Sequence, residues 1–274
     1  MSNPYLPPEI LDHVVDSLHD DPKTLKRCCL VSKSWIPRTR RHLFARVKLH
    51  YREDLECWKR MFPDPSTSPG HFAKSLRIGC ASDVTTPDAE AGGWLTGFAH
   101  IVHLDLETQE RYPGTYTIDD MHPRDHGISL APFHGFSPAL KSLRVDTVKL
   151  PPSRIFDFVL SSPLLEDLTV SGRSIWVDDG DGSDDPLTFA QSSNPPVLTG
   201  SLVLFLKAGM RPVVNRLLSI PGGIHFRKVV FLWNREEDLL STITLVGGCS
   251  HTLETLHIYR DRDGTFIRYL CPHP

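Results

Sequence analysis

A three-residue pattern of apolar, variable and apolar positions recurs seven times along the chain. The copies begin at Leu76, Leu104, Leu143, Leu168, Leu202, Val229 and Leu256, at intervals of 25 to 39 residues. In most copies a further apolar residue stands three positions upstream, at Ile101, Leu140, Leu165, Phe226 and Leu253. Alternation with a period of two predicts a β-strand that buries one face. The chain is therefore predicted to contain seven short strands of one repeated kind.

Stretches with helical periodicity separate the later strands. They lie at 154–160, 211–220 and 236–246, and Gly247 with Gly248 predicts the end of the third. The residues on their apolar sides are Ile155, Phe156, Val159 and Leu160; Val213, Val214, Leu217 and Leu218; and Leu239, Leu240, Ile243 and Val246. Units of strand, turn and helix predict an α/β fold with a parallel sheet. Each fully buried Leu or Val contributes ~1.5–3 kcal/mol, so stacked copies stabilise what no single copy can.

The repeated Leu-x-x-Leu-x-Leu string resembles the leucine-rich repeat. This resemblance implies an irregular solenoid over residues 71–274, with parallel strands and helices between them. The sequence departs from that family in two ways: the Asn or Cys that usually follows the strand is absent, and intervals of 39 and 34 residues imply inserted loops. A conventional α/β domain with a parallel sheet is the alternative interpretation.

The first fifty residues carry a separate helical pattern. Pro7 and Pro8 suit a helix start, and the apolar residues that follow at helical spacing are Ile10, Leu11, Val14, Val15 and Leu18. Asp21 and Pro22 predict a second helix, whose apolar side carries Leu25, Cys28, Cys29, Ser32 and Trp35. Pro37 starts a third helix with Leu43 and Phe44, before a short strand at 47–49. Three such helices bury too little apolar surface to be stable alone, so their spare apolar residues are expected to contact a partner.

This N-terminal string resembles an F-box, the docking module of substrate receptors in SCF (cullin–RING) ubiquitin ligases. The matching residues are Leu6, Pro7, Glu9, Ile10, Leu11, Val14, Leu18, Leu25, Leu30, Val31, Ser32, Lys33 and Trp35. The Leu43-Phe44 pair before a Val-Lys-Leu strand is similar to the ending common among fungal receptors. In the family, the Leu-Pro start and the Val-x-Lys-x-Trp end contact a Skp-type adaptor. The resemblance implies adaptor contacts by Leu6, Pro7, Ile10, Leu11, Val14, Val31 and Trp35, with Leu11, Val14, Leu18 and Leu25 divided between interface and core.

The function implied by both resemblances is a substrate-recognition subunit of an SCF E3 ubiquitin ligase. The F-box would bind a Skp-type adaptor and, through it, a cullin scaffold, while the repeats would bind a target protein. Such a subunit is not an enzyme and needs no cofactor, nucleic acid or membrane. The alternative is a non-catalytic repeat scaffold for protein–protein interaction that does not join a ligase. An ordinary three-helix cap, with Trp35 filling a core, is the bland interpretation of the first segment.

The predicted domain organisation is an F-box at 1–49, a connecting helix and linker at 50–70, and the solenoid at 71–274. The connecting helix at 53–62 places Leu55, Trp58, Met61 and Phe62 on one side, and the Pro- and Ser-rich stretch 63–70 ends it. The long insertion 106–140 and the acidic run 178–186, with five aspartates, are interpreted as hydrophilic surface loops rather than target contacts. After the last strand at 253–259, the tail from Arg260 either folds over the sheet edge or is shortened relative to the chain's relatives. The second interpretation is the favoured one.

Charge changes this picture in one place. The net charge of −3 gives no whole-chain reason to expect nucleic acid, but residues 22–52 contain ten Lys or Arg and no Asp or Glu. These residues are Lys23, Lys26, Arg27, Lys33, Arg38, Arg40, Arg41, Arg46, Lys48 and Arg52. They form either a solvated helix surface or a field that steers an acidic partner, and the Skp-type adaptors of the family are acidic. DNA binding is a weaker interpretation, because no groove-reading motif accompanies them.

Candidate chemistry is sparse. Six cysteines without a signal peptide, and no apolar run of about 18 residues, favour the cytosol or nucleus and small buried thiols. No Cys-x-x-Cys occurs, which excludes a RING-type zinc site within the chain. His122 and His126 lack an identifiable third ligand, and the acidic run lacks the Gly and Glu of an EF-hand loop. No nucleophile elbow, P-loop or dinucleotide string is present, so no catalytic residue is predicted.

Overall fold

The structure, a computed structural model, describes residues 7–79, 93–107, 130–146, 152–172, 197–206, 210–233, 236–260 and 266–270. The α-helices within these ranges are α1 (Pro8–Ser17), α2 (Pro22–Val31), α3 (Ile36–Leu43), α4 (Arg52–Met61), α5 (Pro152–Leu160), α6 (Met210–Leu218) and α7 (Glu236–Gly248). The strands are β1 (Arg46–Leu49), β2 (Ser75–Ile78), β3 (His103–Glu107), β4 (Ser142–Asp146), β5 (Asp167–Gly172), β6 (Ser201–Leu206), β7 (Lys228–Trp233), β8 (Thr255–Arg260) and β9 (Phe266–Leu270). Short 3₁₀ segments span Lys33–Trp35, Pro69–Phe72, Gly93–Gly97 and Ala131–Ala139.

One sheet contains all nine strands in chain order, β1 to β9. Strands β1 to β8 are parallel, so the predicted α/β class is confirmed. All seven strands predicted from the alternating pattern are present as β2 to β8. The register aligns the first position of every copy, which places Leu76, Leu104, Leu143, Leu168, Leu202, Val229 and Leu256 in one row across the sheet.

The core lies along that row and on one face of the sheet. Leu76, Leu104 and Leu143 are at most 1% exposed, and the residues three positions upstream of the strands are buried with them. The same cluster takes in Ile155, Phe156, Phe158 and Val159 of α5, Met210, Val213, Val214 and Leu217 of α6, and Leu245 of α7. In each strand, buried positions alternate with half-exposed ones. The apolar residues of the sequence therefore recur with a period of two, which is why this pattern predicted the strands.

The variable positions of the strands form the other face of the sheet. On β2 to β4 the register brings Arg77, Asp105 and Arg144 side by side. Arg77 Nη2 donates to Glu107 Oε1 at 2.5 Å, and Asp105 lies 3.5 Å from Arg77 Nε and 3.7 Å from Arg144 Nε. Burial raises the pKa of the Asp105 carboxyl in spite of these cations. On β2 to β4 this face is therefore a half-buried network of charged side chains, whereas on β6 and β7 the corresponding positions are Val203 and Val230.

An aromatic junction joins the N-terminal helices to the sheet. Its members are Phe44 after α3, Trp58 and Phe62 of α4, and Trp94 and Phe98 of the 93–98 segment. Trp58 is the centre, with ring centroids 4.8 Å from Phe62, 5.2 Å from Phe98 and 6.1 Å from Phe44. Trp58, Trp94 and Phe98 are buried. Phe44 after α3 is thus packed against the same core as the strands, whereas Val15, Leu25 and Cys28 of α1 and α2 are not part of that cluster.

Two predicted apolar faces were partly wrong. Met61 of α4 is 57% exposed, whereas Leu55 and Trp58 of the same helix are buried. On α7, Leu239, Leu240 and Ile243 are 41%, 71% and 58% exposed, and Ser241, Thr242 and Leu245 are buried instead. Apolar residues occur on more than one side of α7, so its spacing alone does not select the side that packs.

The tail after β8 also differs from the favoured interpretation. Strand β9 pairs antiparallel with β8, from Thr255 opposite Leu270 to Tyr259 opposite Phe266. The tail therefore folds over the sheet edge, which was the other alternative. The acidic run 178–186, most of the insertion 106–140, and His122 with His126 lie outside the described residues. No helix in the described ranges is both long and apolar enough to cross a bilayer.

Gly79 permits a close approach of two chain segments after β2. Its N–H donates to the Leu49 carbonyl at 2.8 Å, and a Cβ there would lie 2.5 Å from the His50 carbonyl oxygen. We expect Gly79→Ala to lower the free energy of unfolding by about 1–3 kcal/mol, because the β1–β2 pair must shift. The matched control is Gly135→Ala, where a Cβ meets nothing within 4 Å and the change should stay within about 0.5 kcal/mol. Urea unfolding measures both, and equal effects would contradict this account.

Candidate docking surface on the N-terminal helices

Local signals fix the ends of the first helices. Pro8 occupies the first turn of α1, where its missing N–H costs nothing. Asp21 caps α2, since its Oδ1 accepts from the N–H groups of Lys23 and Thr24 at 3.1 Å each. These hydrogen bonds lower the pKa of the Asp21 carboxyl, with the bonds from Thr24 the largest cause. The predicted start of the second helix is confirmed, and the predicted third helix appears as α3, which begins at Ile36 beside Pro37.

A polar clamp holds α1 against α3. Arg38 donates to both carboxylate oxygens of Asp16, with Nε at 2.6 Å from Oδ1, and His42 Nε2 lies 2.6 Å from the same Oδ1. Hydrogen bonds from Arg38 and then from His42 hold the pKa of the Asp16 carboxyl well below its usual range. The same contact raises the pKa of Arg38. A bidentate arginine–carboxylate pair fixes orientation as well as distance, so the clamp sets the angle between the two helices.

Asp16→Asn should lower the free energy of unfolding at pH 7 by about 1–2 kcal/mol, less than for a fully buried pair, because both side chains are about one third exposed. The ionised carboxylate is the paired form. Its contribution is therefore complete above the unfolded pKa of about 4 and is lost as pH falls toward the lower folded pKa. The difference between wild type and Asp16→Asn should shrink as pH falls below about 4 and vanish only when pH reaches the folded pKa, well below that value. Denaturant unfolding at several pH values measures this, with Asp157→Asn on the exposed side of α5 as the control.

Few apolar side chains fill the inside of this helical unit. Val15 and Leu25 are 1% exposed and Cys28 is 6% exposed. Thr39 is fully buried, and its Oγ1 donates to the Trp35 carbonyl. Cys28 and Cys249 are buried and form no disulfide, as predicted for small core residues, whereas Cys29 and Cys57 are half-buried.

The outside of the unit carries large apolar side chains. Ile10 and Val14 of α1 are 49% and 43% exposed, and Leu30 and Val31 at the end of α2 are 87% and 69% exposed. Ile10 and Val14 are one turn apart and so lie on the same side of α1. Trp35 is half-buried, in a 3₁₀ segment that contacts both α1 and α2. We call Ile10, Val14, Leu30, Val31 and Trp35 the docking surface.

The sequence predicted most of these residues. Of the other predicted residues, Pro7 is exposed, and Leu11 and Leu18 are half-buried. Leu25 belongs to the core. Leu6 lies outside the described residues. Leu30 was not among the predicted contacts, yet it is the most exposed large apolar residue of α2. One signal would have found it. Leu30 is five residues after Leu25 and two after Cys28, which places it away from the buried side of the helix.

Cations surround the docking surface. Lys26 and Arg27 precede Leu30 by four and three residues on α2, so both lie about one turn from it. Lys33 comes three residues after Leu30, past the end of α2 in the 3₁₀ segment. Each of them is exposed. Among the described residues, Arg38 and Arg46 are the members of the basic run 22–52 that form ion pairs, with Asp16 and Asp20. The remaining positive charge faces solvent, which suits a partner with carboxylates around an apolar groove.

The surface can bind but presents no reactive arrangement. Within the ranges that the structure describes, no group of three or more His, Cys, Asp or Glu side chains is placed to hold a metal ion. Large exposed apolar side chains next to uncompensated cations are typical of a protein–protein contact. Comparison with known proteins found no matching family model, no matching curated protein and no matching solved structure.

Proposed function

We propose that this protein is the substrate-recognition subunit of an SCF-type ubiquitin ligase. Its N-terminal helices would act as an F-box that binds a Skp-type adaptor, and its sheet would act as a leucine-rich-repeat-like solenoid that holds a target. The observation that carries the proposal is the exposure of Leu30 and Val31, at 87% and 69%, within the string that resembles the F-box end. Exposed apolar side chains that lie next to each other and are bordered by polar residues are typical of a protein–protein interaction site.

Position supports the adaptor contact. Ile10, Val14 and Val31 are exposed, and Trp35 lies between the helices that carry them. Their core-facing neighbours Val15 and Leu25 do the internal packing. A binding module needs this division, because residues committed to its own core are not available to a partner.

Charge supports an acidic partner. Lys26, Arg27 and Lys33 border Leu30 and are exposed. Long-range attraction to carboxylates raises the association rate, and the effect weakens as salt screens it. Adaptor association should therefore slow with increasing ionic strength.

The order of the strands supports a solenoid. Each strand from β2 to β8 pairs with the strand before it and the strand after it in the chain. A doubly wound α/β sheet instead reverses its strand order at a switch point. Stacking in chain order is what repeats produce when each contacts its neighbours.

The mechanism of such a subunit is proximity. The chain itself forms and breaks no bond; it holds a target near a ubiquitin-charged enzyme brought by the cullin–RING scaffold. Tethering replaces a bimolecular encounter by an intramolecular one and so raises the effective concentration of target lysines.

Co-purification with a Skp-type adaptor tests the proposal, followed by calorimetric titration. Leu30→Ser combined with Val31→Ser should weaken the complex at least ~30-fold, because central apolar contacts carry most of an interface's energy. Both residues are exposed, so the double variant should fold as wild type does. The control is Leu164→Ser, 52% exposed after α5, which should bind normally. Absence of a wild-type complex, or an undiminished complex of the double variant, would refute the proposal.

A further inference from the structure

A small cavity lies between α3, the end of α4 and the 3₁₀ segment Pro69–Phe72. Its volume is about 110 Å³. The rings of Phe44, Phe62 and Phe72 and the buried Pro69 line it, with Arg40 and His71 beside them. Phe44 and Phe62 meet edge to face at 6.2 Å. None of the lining residues belongs to the docking surface, so the cavity is a separate site.

The polar groups of this cavity suit an anion. Arg40 is exposed on α3 and supplies a permanent positive charge with several N–H donors. His71 Nδ1 donates to the Ser68 carbonyl at 2.5 Å, which fixes the ring. In the neutral imidazole Nε2 is then an acceptor, so Arg40 is the group of this cavity that pairs with an anion. No carboxylate lines the cavity among the described residues. An apolar pocket with an arginine beside it matches a ligand that has a carboxylate next to an apolar group.

The size of the cavity restricts that ligand. A cavity of roughly 150 Å³ lined by apolar side chains holds a benzene, so one of about 110 Å³ suits an aliphatic side chain better than an aromatic one. In an extended peptide, neighbouring side chains point to opposite faces. An Asp or Glu next to the bound residue would therefore direct its carboxylate away from Arg40. A carboxyl-terminal residue supplies both groups itself.

We propose that this cavity binds the carboxyl-terminal residue of a partner polypeptide. An aliphatic side chain of about the size of Leu enters between the three phenylalanines, and the terminal carboxylate pairs with Arg40. The binding of a peptide end by this cavity does not depend on the proposed ligase function. Only the identification of that peptide as the end of a degradation target rests on the proposed function.

Fluorescence anisotropy with an amino-terminally labelled peptide of sequence GSGSL tests the site on the full chain. The free acid should bind at least ~10-fold more tightly than the same peptide with a carboxyl-terminal amide, because only the acid pairs with Arg40. Arg40→Glu should remove this preference. Arg41→Glu makes the same charge change one residue along α3, outside the cavity, and should leave the affinity within about twofold. A peptide ending in Trp should bind more weakly than GSGSL.

Three results would overturn the site: equal binding of acid and amide, equal losses in Arg40→Glu and Arg41→Glu, or no binding of the acid up to a concentration on the order of 5 mM. Equal losses in the two variants would indicate general attraction of the basic run for an anion. Adaptor titration of the same variants separates the two proposals. Peptide capture without adaptor binding would refute the ligase assignment alone, and adaptor binding without peptide capture would refute the cavity alone.

Discussion

Phe98→Ala is expected to lower the free energy of unfolding by about 3–5 kcal/mol, the usual range for deleting a buried ring. Phe98 is fully buried in the aromatic junction, with ring centroids 5.2 Å from Trp58 and 5.7 Å from Trp94. Removing it opens a cavity between two large rings that cannot collapse without moving α4 relative to the sheet. Domains are stable by only about 5–15 kcal/mol, so the variant would lose a large part of the total.

Urea unfolding followed by far-UV circular dichroism measures this loss. The control is Phe205→Ala on the other face of β6, where the side chain is 36% exposed and contacts one ring, that of Tyr259. Its cost should be about 1 kcal/mol. If Phe98→Ala cost no more than Phe205→Ala, the aromatic junction would not join the N-terminal helices to the sheet as described.

The strands could be predicted because the pattern that identifies each of them lies within a few neighbouring residues. Alternation identified β2 to β8, since each strand buries one face and the same spacing recurs. Strand β9 was not predicted, because it begins about ten residues after the last copy and pairs antiparallel, outside the repeat interval. The repeat pattern therefore did not predict the strand at this edge of the sheet.

Helix positions were predictable, but the sides that pack were less so. Val14 and Val15 both belong to the apolar stripe of α1, yet Val14 is 43% exposed and Val15 is 1% exposed. Only the packing of α1 on its neighbours distinguishes them. The error on α7 has the same origin: Leu240 fits the helical spacing and is nevertheless 71% exposed. Periodicity fixes a stripe about 100° wide, which is coarser than one residue.

The part of the candidate site that consists of neighbouring residues in the sequence could be predicted. The string from Leu30 to Trp35 indicated the exposed end of α2, although Leu30 itself was left out. The clamp formed by Asp16, Arg38 and His42 was not predicted, because Asp16 is more than twenty residues from both partners. The cavity beside Arg40 likewise combines residues from three elements. A site that tertiary packing assembles from residues far apart in the sequence has no local pattern, so the sequence alone does not predict it.

Under the proposed function, Trp35→Ala is expected to weaken the binding of a Skp-type adaptor at least ~30-fold, because aromatic anchors dominate interface energetics. Trp35 is half-buried in the segment that contacts α1 and α2, so part of its side chain remains exposed to a partner. Its backbone contacts survive the change, since the carbonyl still accepts from Thr39 Oγ1 and the N–H still donates to Ser32 O at 3.1 Å. The buried part of the side chain also supports the helices, and part of the loss would come from that role.

Two comparisons separate the direct contact from that structural role. Trp35→Phe keeps the inward packing and an aromatic face, so it should retain affinity within about tenfold of wild type. Tyr51→Ala removes an aromatic side chain that is 58% exposed outside the docking surface, and should not change the affinity. Calorimetric titration gives the affinities, and denaturant unfolding of each free variant gives the stabilities. Trp35 is not the anchor if Trp35→Ala binds as wild type does. The same holds if its loss of stability accounts for its whole loss of affinity. In either case the adaptor contact must lie on Leu30 and Val31.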